Sequence, residues 1–339
     1  MPSLRERFAD AFEIGVALGG KLSKDYTPAE LELISTQFSN ITPENCMKPA
    51  LIHPEENRYD FATPDDLVAF ARQYWLNVTG HCLVWHQQCP DWIFADQGKP
   101  APRDLVLQRT RQHIRQVLSW YRGALQGIDV VNEAIDDGPG YIRKSKWTQC
   151  IGDDYVEMAF RFAAEFGEGI RLYYNDYSIE MPEKREKAIR LVRDLKAKGL
   201  RVDGIGIQGH WMLDKVPFTE LDKAIPEFAA LGCKVMITEL DLDMVRRETS
   251  GANPTAAESA RDDPYVNGCP DAVLARQAQQ YGELFHLFER HQRHITRVAF
   301  WGLHDGRSWL NSWPRKRTNH ALLFDRQCRP KPAVAAVVA

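Results

Sequence analysis

Two short stretches of the sequence place a glutamate directly after a run of β-branched residues. Glu133 ends the stretch 128–133 and follows Asn132, whereas Glu239 ends the stretch 233–239 and is followed two residues later by Asp241. Each apolar run is too short for a helix and is typical of a buried strand, so both glutamates are predicted at the carboxyl end of a strand. Two such carboxylates are the groups that a two-carboxylate hydrolase requires.

A structural explanation is available for either glutamate taken alone, because a carboxylate at a strand end often caps the strand or pairs with an arginine. The shared position of Glu133 and Glu239, with Asn132 before one of them, favours chemistry instead. His81 and His86 stand five residues apart, but they lack the HExxH spacing and a third ligand nearby, so no metal site is predicted. A histidine beside Trp85 suits sugar binding better, since it joins a hydrogen-bonding group to a flat apolar face.

The elements that would position these residues alternate regularly along the chain. Besides the two stretches that carry the glutamates, strands are predicted at 12–18, 38–42, 77–82, 170–174, 202–207 and 296–300. Helices are predicted at 28–36, 64–74, 103–121, 153–166, 182–198, 217–231 and 271–291, and the tail beyond Arg329 would supply an eighth. Thr27 and Thr63 are the expected N-caps of the first two helices.

This single-file alternation predicts an α/β fold, a (β/α)₈ TIM barrel, whose active site lies at the carboxyl ends of the strands. The alternative is a doubly wound open sheet, which normally has a glycine-rich phosphate loop after an early strand. Gly19 and Gly20 do not complete that motif. Because no linker interrupts the alternation, residues 1–339 are predicted to form one catalytic domain, with a long polar loop at 245–270 after the seventh strand.

The composition excludes several classes of protein. The net charge of −3 over 339 residues gives no electrostatic basis for binding nucleic acid or an anionic membrane. The seven cysteines form neither a CxxC motif nor a Cys/His metal spacing. The N-terminal residues carry no signal peptide and no apolar run could span a bilayer, but a processed chain would look the same, so the compartment stays open, as does the oligomeric state.

Taken in order, the strand-end motifs are similar to those of the glycoside hydrolase family 10 endo-β-1,4-xylanases over essentially the whole chain. The motifs that carry the resemblance are TPENCMK at 42–48, HCLVWH at 81–86, DVVNEA at 129–134, QGH at 208–210, ITELD at 237–241, and WG at 301–302 followed by SW at 308–309. Six motifs in the expected order at successive strand ends are far more specific than any one of them.

The resemblance implies a role for each of these residues in retaining hydrolysis of β-1,4-xylan and xylo-oligosaccharides without a cofactor. Glu133 would be the general acid/base and Glu239 the nucleophile, with His210 and Asp241 orienting Glu239. Asn132 would bind the sugar 2-hydroxyl. The side of the cleft that holds the retained sugars would be lined by Glu44, Asn45, Lys48, His81, Trp85, Gln208, Trp301 and Trp309, and Tyr177 would lie across the cleavage point.

Three other functions remain open at this point. A β-1,4-glucanase of similar design would differ only in admitting a hydroxymethyl group. A carbohydrate-binding protein without activity would have no need of both glutamates together with their His and Asn partners. A metal-dependent hydrolase is the third. The basic run 315–317 could bind acidic xylan decorations, but a solvated turn is the preferred interpretation.

Overall fold

The computed structural model describes residues 2–245 and 263–339 of the chain. Eight parallel strands pair with their neighbours in chain order, and the last strand also pairs with the first, which closes the barrel. The strands are β1 Glu13–Leu18, β2 Asn40–Pro43, β3 Asn77–Trp85, β4 Gly127–Asn132, β5 Arg171–Asp176, β6 Gly204–Ile207, β7 Lys234–Asp243 and β8 Ile295–Phe300. The predicted (β/α)₈ barrel is therefore confirmed, and the doubly wound alternative is excluded by the β8–β1 pairing.

A helix follows each strand and packs on the outside of the barrel. These helices are α1 Pro28–Gln37, α2 Ala62–Gln73, α3 Arg103–Trp120, α4 Tyr155–Phe166, α5 Pro182–Ala197, α6 Phe218–Ala229, α7 Asp271–Arg290 and α8 Pro332–Val338. Short helices occur at Leu4–Arg7, Leu22–Asp25, Pro49–Ile52 and Lys146–Cys150, and 3-10 turns at Asp91–Phe94, Asp305–Arg307 and Trp309–Asn311. A two-stranded hairpin pairs Ala95–Asp96 with Lys99–Pro100.

Local sequence explains where the first helices begin. Thr27 caps α1 as predicted: its hydroxyl accepts from the amide of Glu30, whose carboxylate accepts from the Thr27 amide in return. The predicted cap at Thr63 is wrong, because α2 begins at Ala62. The Asp60 carboxylate accepts from the Ala62 amide at 3.0 Å and so starts the helix earlier than the threonine.

The amino end of the barrel is filled by hydrogen-bonded polar side chains. Glu13 accepts from the side-chain amides of Asn40, Asn77 and Gln126 at 3.0, 2.5 and 2.9 Å. Deeper in the barrel, Asn40 also donates to Thr79 at 3.2 Å, and Arg297 donates to Thr79 as well. Asn40 and Thr79 are fully buried. These hydrogen-bonded side chains form a floor beneath the carboxyl ends of the strands.

Within the described ranges, no helix is both long enough and apolar enough to cross a membrane. Most of the loop predicted at 245–270 lies outside the described residues. The assignment of residues 1–339 to one catalytic domain stays a prediction.

Candidate active site

A cleft of about 690 Å³ opens at the carboxyl ends of the strands. Among the residues that line it are all but one of the predicted site residues, namely Glu44, Asn45, Lys48, His81, Trp85, Asn132, Glu133, Tyr177, Gln208, His210, Glu239, Trp301 and Trp309. The exception, Asp241, is fully buried behind His210. The strand-end positions that the sequence indicated therefore converge on one cavity.

Glu133 follows β4 directly and is 7% exposed. Its backbone has a φ of 57°, a left-handed conformation that costs a non-glycine residue about 1–3 kcal/mol. The Glu133 amide donates to the Asn175 carbonyl oxygen at 2.9 Å. Its carboxylate accepts from the Gln208 amide nitrogen on Oε1 and from the Trp85 indole nitrogen on Oε2, both at 2.9 Å. The carboxyl group is thus aimed by two neutral donors.

An ionisable side chain, His86, lies close to the Glu133 carboxyl, with Nδ1 at 4.0 Å from Oε2. Burial, reinforced by the positive charge of Arg143, lowers the pKa of His86 to about 4. This imidazole is therefore neutral near pH 7 and brings no positive charge to Glu133.

Glu239 lies within β7, 5% exposed, and has a different set of partners. Its Oε1 accepts from the Asn175 side-chain amide at 2.7 Å, and its Oε2 faces His210 Nε2 at 3.1 Å. Burial by itself raises the pKa of Glu239. The hydrogen bond from His210, the electrostatic contributions of the His81 and His210 rings, and the Asn175 contact outweigh burial and lower that pKa overall. The Glu239 carboxylate is therefore held in its ionised form.

His210 bridges two carboxylates, because its Nδ1 lies 2.9 Å from Asp241 Oδ2 while its Nε2 faces Glu239. Burial opposes the charge on this ring, but Asp241 and Glu239 together raise the pKa of His210 to about 10. The same Asp241 oxygen accepts from the Trp309 indole nitrogen at 2.8 Å. An imidazolium therefore stands beside Glu239, whereas the two side chains that donate hydrogen bonds to the Glu133 carboxyl, Trp85 and Gln208, are neutral.

The two sides of the cleft differ in character. On the β2–β3 side, Lys48 donates to Asn45 at 3.0 Å and lies 4.7 Å from the centroid of the Trp85 ring. His81 Nδ1 faces Asp129 at 2.8 Å, and burial raises the pKa of Glu44. These groups form a dense, polar wall.

On the β5–β6 side, Tyr177 is held by three charged side chains. Its hydroxyl accepts from Arg143 at 2.7 Å and donates to Asp137, and Lys184 lies 3.5 Å from its ring centroid. Above β8, Trp309 and Trp313 stack at 4.7 Å with 28° between their planes. Flat rings beside polar edges are the surfaces on which sugars bind.

The family profile of "Glycosyl hydrolase family 10" matches residues 3–339. The chain belongs to this family. The predicted resemblance and the prediction of a glycoside hydrolase are therefore confirmed. A related protein supports the same assignment. The chain is 39% identical over 343 residues to the endo-1,4-beta-xylanase A of Xylanibacter ruminicola, and the match covers 99% of this chain and 93% of that protein.

Two solved structures show the likeness in three dimensions. A mutant protein in complex with xylotriose is 35% identical, with a TM-score of 0.92, and the match covers 100% of this chain and 99% of that one. A mutant of the intracellular xylanase from Thermoanaerobacterium saccharolyticum, in complex with xylotetraose, is 36% identical, with a TM-score of 0.87 and coverage of 99% and 98%.

Sequence reasoning missed Asn175, although this residue ties the two glutamates of the family 10 site together. It supplies a carbonyl oxygen to the Glu133 amide and a side-chain amide to Glu239, and its own Oδ1 accepts from Thr238 at 2.6 Å. Asn132, on the neighbouring strand, is in register with it. The Asn132 side-chain oxygen accepts from the Asn175 amide nitrogen at 2.9 Å and from the Gln208 amide nitrogen at 3.3 Å. The available signal was the position of Asn175 near the end of a predicted strand.

The interpretation of the basic run 315–317 as a solvated turn is wrong for Arg317. This side chain is buried, donates to Asp243 at 2.8 Å and to the Leu310 carbonyl at 2.7 Å, and so fastens the segment after β8 to the end of β7. Lys316, by contrast, is exposed.

Within 2–245 and 263–339, no group of three or more His, Cys, Asp or Glu side chains could hold a metal ion. At the site, His81 instead pairs with Asp129, and His210 pairs with Glu239 and Asp241.

Proposed function

We propose that this family 10 enzyme is a retaining endo-β-1,4-xylanase that hydrolyses xylan and xylo-oligosaccharides by double displacement. Glu239 is the nucleophile and Glu133 the general acid/base. The observation that carries the proposal is the unequal environment of the two carboxyls. His210, with a pKa raised to about 10, keeps a positive charge beside Glu239, while neutral Trp85 and Gln208 donors contact Glu133.

In the first step, the ionised Glu239 attacks the anomeric carbon while Glu133 protonates the departing glycosidic oxygen. The Glu239 carboxylate is kept available by the lowered pKa described above, and it is held in place by Asn175 and His210. In the second step, Glu133, now deprotonated, removes a proton from water as that water attacks the covalent intermediate. Two inversions give net retention.

The different character of the two walls of the cleft supports a placement for the two halves of the substrate. We place the retained sugars against Glu44, Asn45 and Lys48 on the β2–β3 side, with Asn132 bonding the 2-hydroxyl at the cleavage point. The leaving sugars lie against Tyr177, on the β5–β6 side. The indoles of Trp301 and Trp309 crowd the carbon-5 substituent, which favours xylose over glucose by steric exclusion.

Azide rescue tests the roles of the glutamates. Glu133→Ala should lose turnover of xylan but still form the glycosyl-enzyme from an aryl xyloside with a good leaving group, and added azide should then yield the β-glycosyl azide. Glu239→Ala should yield the α-glycosyl azide after a single inversion. Exchanged products would exchange the two roles, and an α-anomer as first product of the unmodified enzyme would refute retention.

The substrate class is tested by parallel assays on xylan and soluble cellulose, together with the product profile from xylohexaose. Internal cleavage of xylohexaose and little action on cellulose are the expected results. Greater activity on cellulose would make the enzyme a glucanase. Activity that disappears with a chelator and returns with a divalent cation would indicate a metal-dependent hydrolase instead.

A further inference from the structure

Arg143, which the mechanism above does not use, lies at the centre of the contacts around the acid/base. Its Nε donates to the Glu133 carbonyl oxygen at 3.0 Å. Its Nη2 donates both to the Ile135 carbonyl at 3.1 Å and to the Tyr177 hydroxyl at 2.7 Å. Its Nη1 lies 3.0 Å from Asp137. One guanidinium thus contacts the backbone of the acid/base and the ring on the leaving-sugar side.

The contact with Glu133 matters because that residue is held in a left-handed backbone conformation, with φ at 57°. Such a conformation persists only where the surroundings fix it. The Glu133 amide is fixed by the Asn175 carbonyl at 2.9 Å, and the Glu133 carbonyl is fixed by Arg143. The direction of the carboxyl group, which depends on this backbone, therefore depends on Arg143.

The contact with Tyr177 connects the same guanidinium to the substrate side. Tyr177 lines the cleft, and its hydroxyl lies between Arg143 and Asp137. Lys184 donates to Asp137 at 2.9 Å and lies over the Tyr177 ring, so the ring is clamped from two directions. A sugar resting on Tyr177 and the proton donor Glu133 would thus share one rigid support.

The charges of the cluster are balanced. Burial opposes ionisation of Asp137, but the positive charge of Lys184, with the hydrogen bonds from Tyr177, Lys184 and Arg143, lowers its pKa to about 2. The Asp137 carboxylate therefore neutralises much of the Arg143 charge. A planar fork with several donors fits these contacts, whereas a lysine ammonium could make only part of them.

We propose that Arg143 is a positioning residue for acid catalysis. It fixes the backbone of Glu133 and, because it also holds Tyr177, keeps the proton donor aligned with the leaving sugar that rests on Tyr177. This inference rests on the proposed role of Glu133. Loss of the guanidinium fork should misalign proton transfer to the glycosidic oxygen and leave the attack by Glu239 intact. The defect should therefore grow as the leaving group becomes poorer.

The test compares two substrates in Arg143→Lys, which keeps the positive charge. For xylotetraose, whose leaving group needs protonation, kcat/KM should fall at least about tenfold. For a dinitrophenyl xylobioside, whose leaving group needs none, kcat/KM should change less than about threefold. Equal losses on both substrates, or no loss on either substrate in both Arg143→Lys and Arg143→Met, would overturn the proposal. Arg143→Met gives a second measurement if the lysine variant makes substitute contacts.

Lys187 provides a matched control, because it also fastens the loop after Glu133. Its ammonium donates to the carbonyls of Asp136 and Gly138, and among the described residues it hydrogen-bonds neither Glu133 nor Tyr177. Lys187→Met should lower stability without creating a leaving-group dependence. A similar dependence in Lys187→Met would show that loop mobility alone is responsible and would refute the special role of Arg143.

Glu133→Ala, assayed beside these variants, separates this inference from the function on which it rests. If Glu133→Ala shows no leaving-group dependence, the acid/base assignment itself fails. If Glu133→Ala shows the dependence and both Arg143 variants do not, only the role of Arg143 fails.

Discussion

Asp241→Asn should lower the pH above which activity is lost. The substitution removes a negative charge beside His210 and keeps the size and shape of the side chain. Asp241 is fully buried and accepts from both His210 and Trp309 through one oxygen. Asparagine can present an oxygen at that place, so both hydrogen bonds can survive. The change therefore removes mainly the negative charge 2.9 Å from the imidazole.

The size of the effect follows from that distance. Two unit charges about 4 Å apart attract by about 4 kcal/mol at an effective dielectric constant of about 20, which corresponds to about 3 pKa units. The pKa of His210, now about 10, should accordingly fall towards about 7. Above that pH, the neutral ring would keep its proton on Nδ1, facing the introduced amide oxygen, and would turn the Nε2 lone pair towards the Glu239 carboxylate.

The assay is kcat/KM for a dinitrophenyl xylobioside between pH 4 and 11, since this substrate does not depend on protonation by Glu133. The alkaline limb should move down by about three pH units, whereas the acidic limb, where His210 is protonated in both proteins, should stay in place. Nitrogen NMR of the His210 ring should show the same shift. A uniform loss of activity with an unmoved alkaline limb would refute the reasoning.

Asp243→Asn is the matched control, because Asp243 is equally buried on the same strand but bonds Arg317 and not His210. It should lower stability and leave the alkaline limb unchanged. A shift of that limb in Asp243→Asn would point to a general electrostatic effect and not to the His210 contact.

Three further outcomes are expected. Arg317→Met should lower the free energy of unfolding by about 3–5 kcal/mol in urea titrations, because it removes one partner of a buried ion pair and the hydrogen bond to the Leu310 carbonyl; an unchanged midpoint would contradict this. The His210 network should stabilise the fold fully below about pH 6.5, where an unfolded histidine is charged, and lose that contribution as pH rises through about 10, which melting temperatures across this range would reveal. Trp309→Ala should narrow the ratio of xyloside to glucoside turnover, and an unchanged ratio with reduced stability would assign Trp309 a purely structural role.

The fold was predictable because its determinants are local and repeated. Most barrel strands are buried on both faces and so read as short apolar runs, and most of the following helices show their own periodicity. Because the strands are parallel and the barrel is closed, the carboxyl ends of all strands lie at the same rim. Polar residues near these ends, such as Glu133 and Glu239, could therefore be identified as site residues from the sequence alone. The short strand His210–Met212, which pairs with the end of β7, had no such signal and was missed.

The contacts between side chains were not predictable in the same way. Arg143 lies ten residues beyond Glu133 in a loop, where no periodic pattern marks its return to the Glu133 carbonyl. Arg317 stands in a run of basic residues that looks solvated, and its burial depends on Asp243, 74 residues earlier in the chain. Charge partners so far apart in sequence become visible only when the chain has folded.

In the part of the chain that the structure describes, the hydrogen-bonded floor closes the amino end of the barrel. Glu13, Thr79 and Arg297 occupy the space through which a polymer could otherwise pass, and their partners hold them there. A polysaccharide therefore cannot be threaded along the barrel axis and must lie across the mouth. The enzyme can then bind the polysaccharide at an interior bond and does not need to bind a chain end first. Both fragments must then leave by the route through which the intact chain arrived, so long fragments of the product compete with fresh substrate for the same groove.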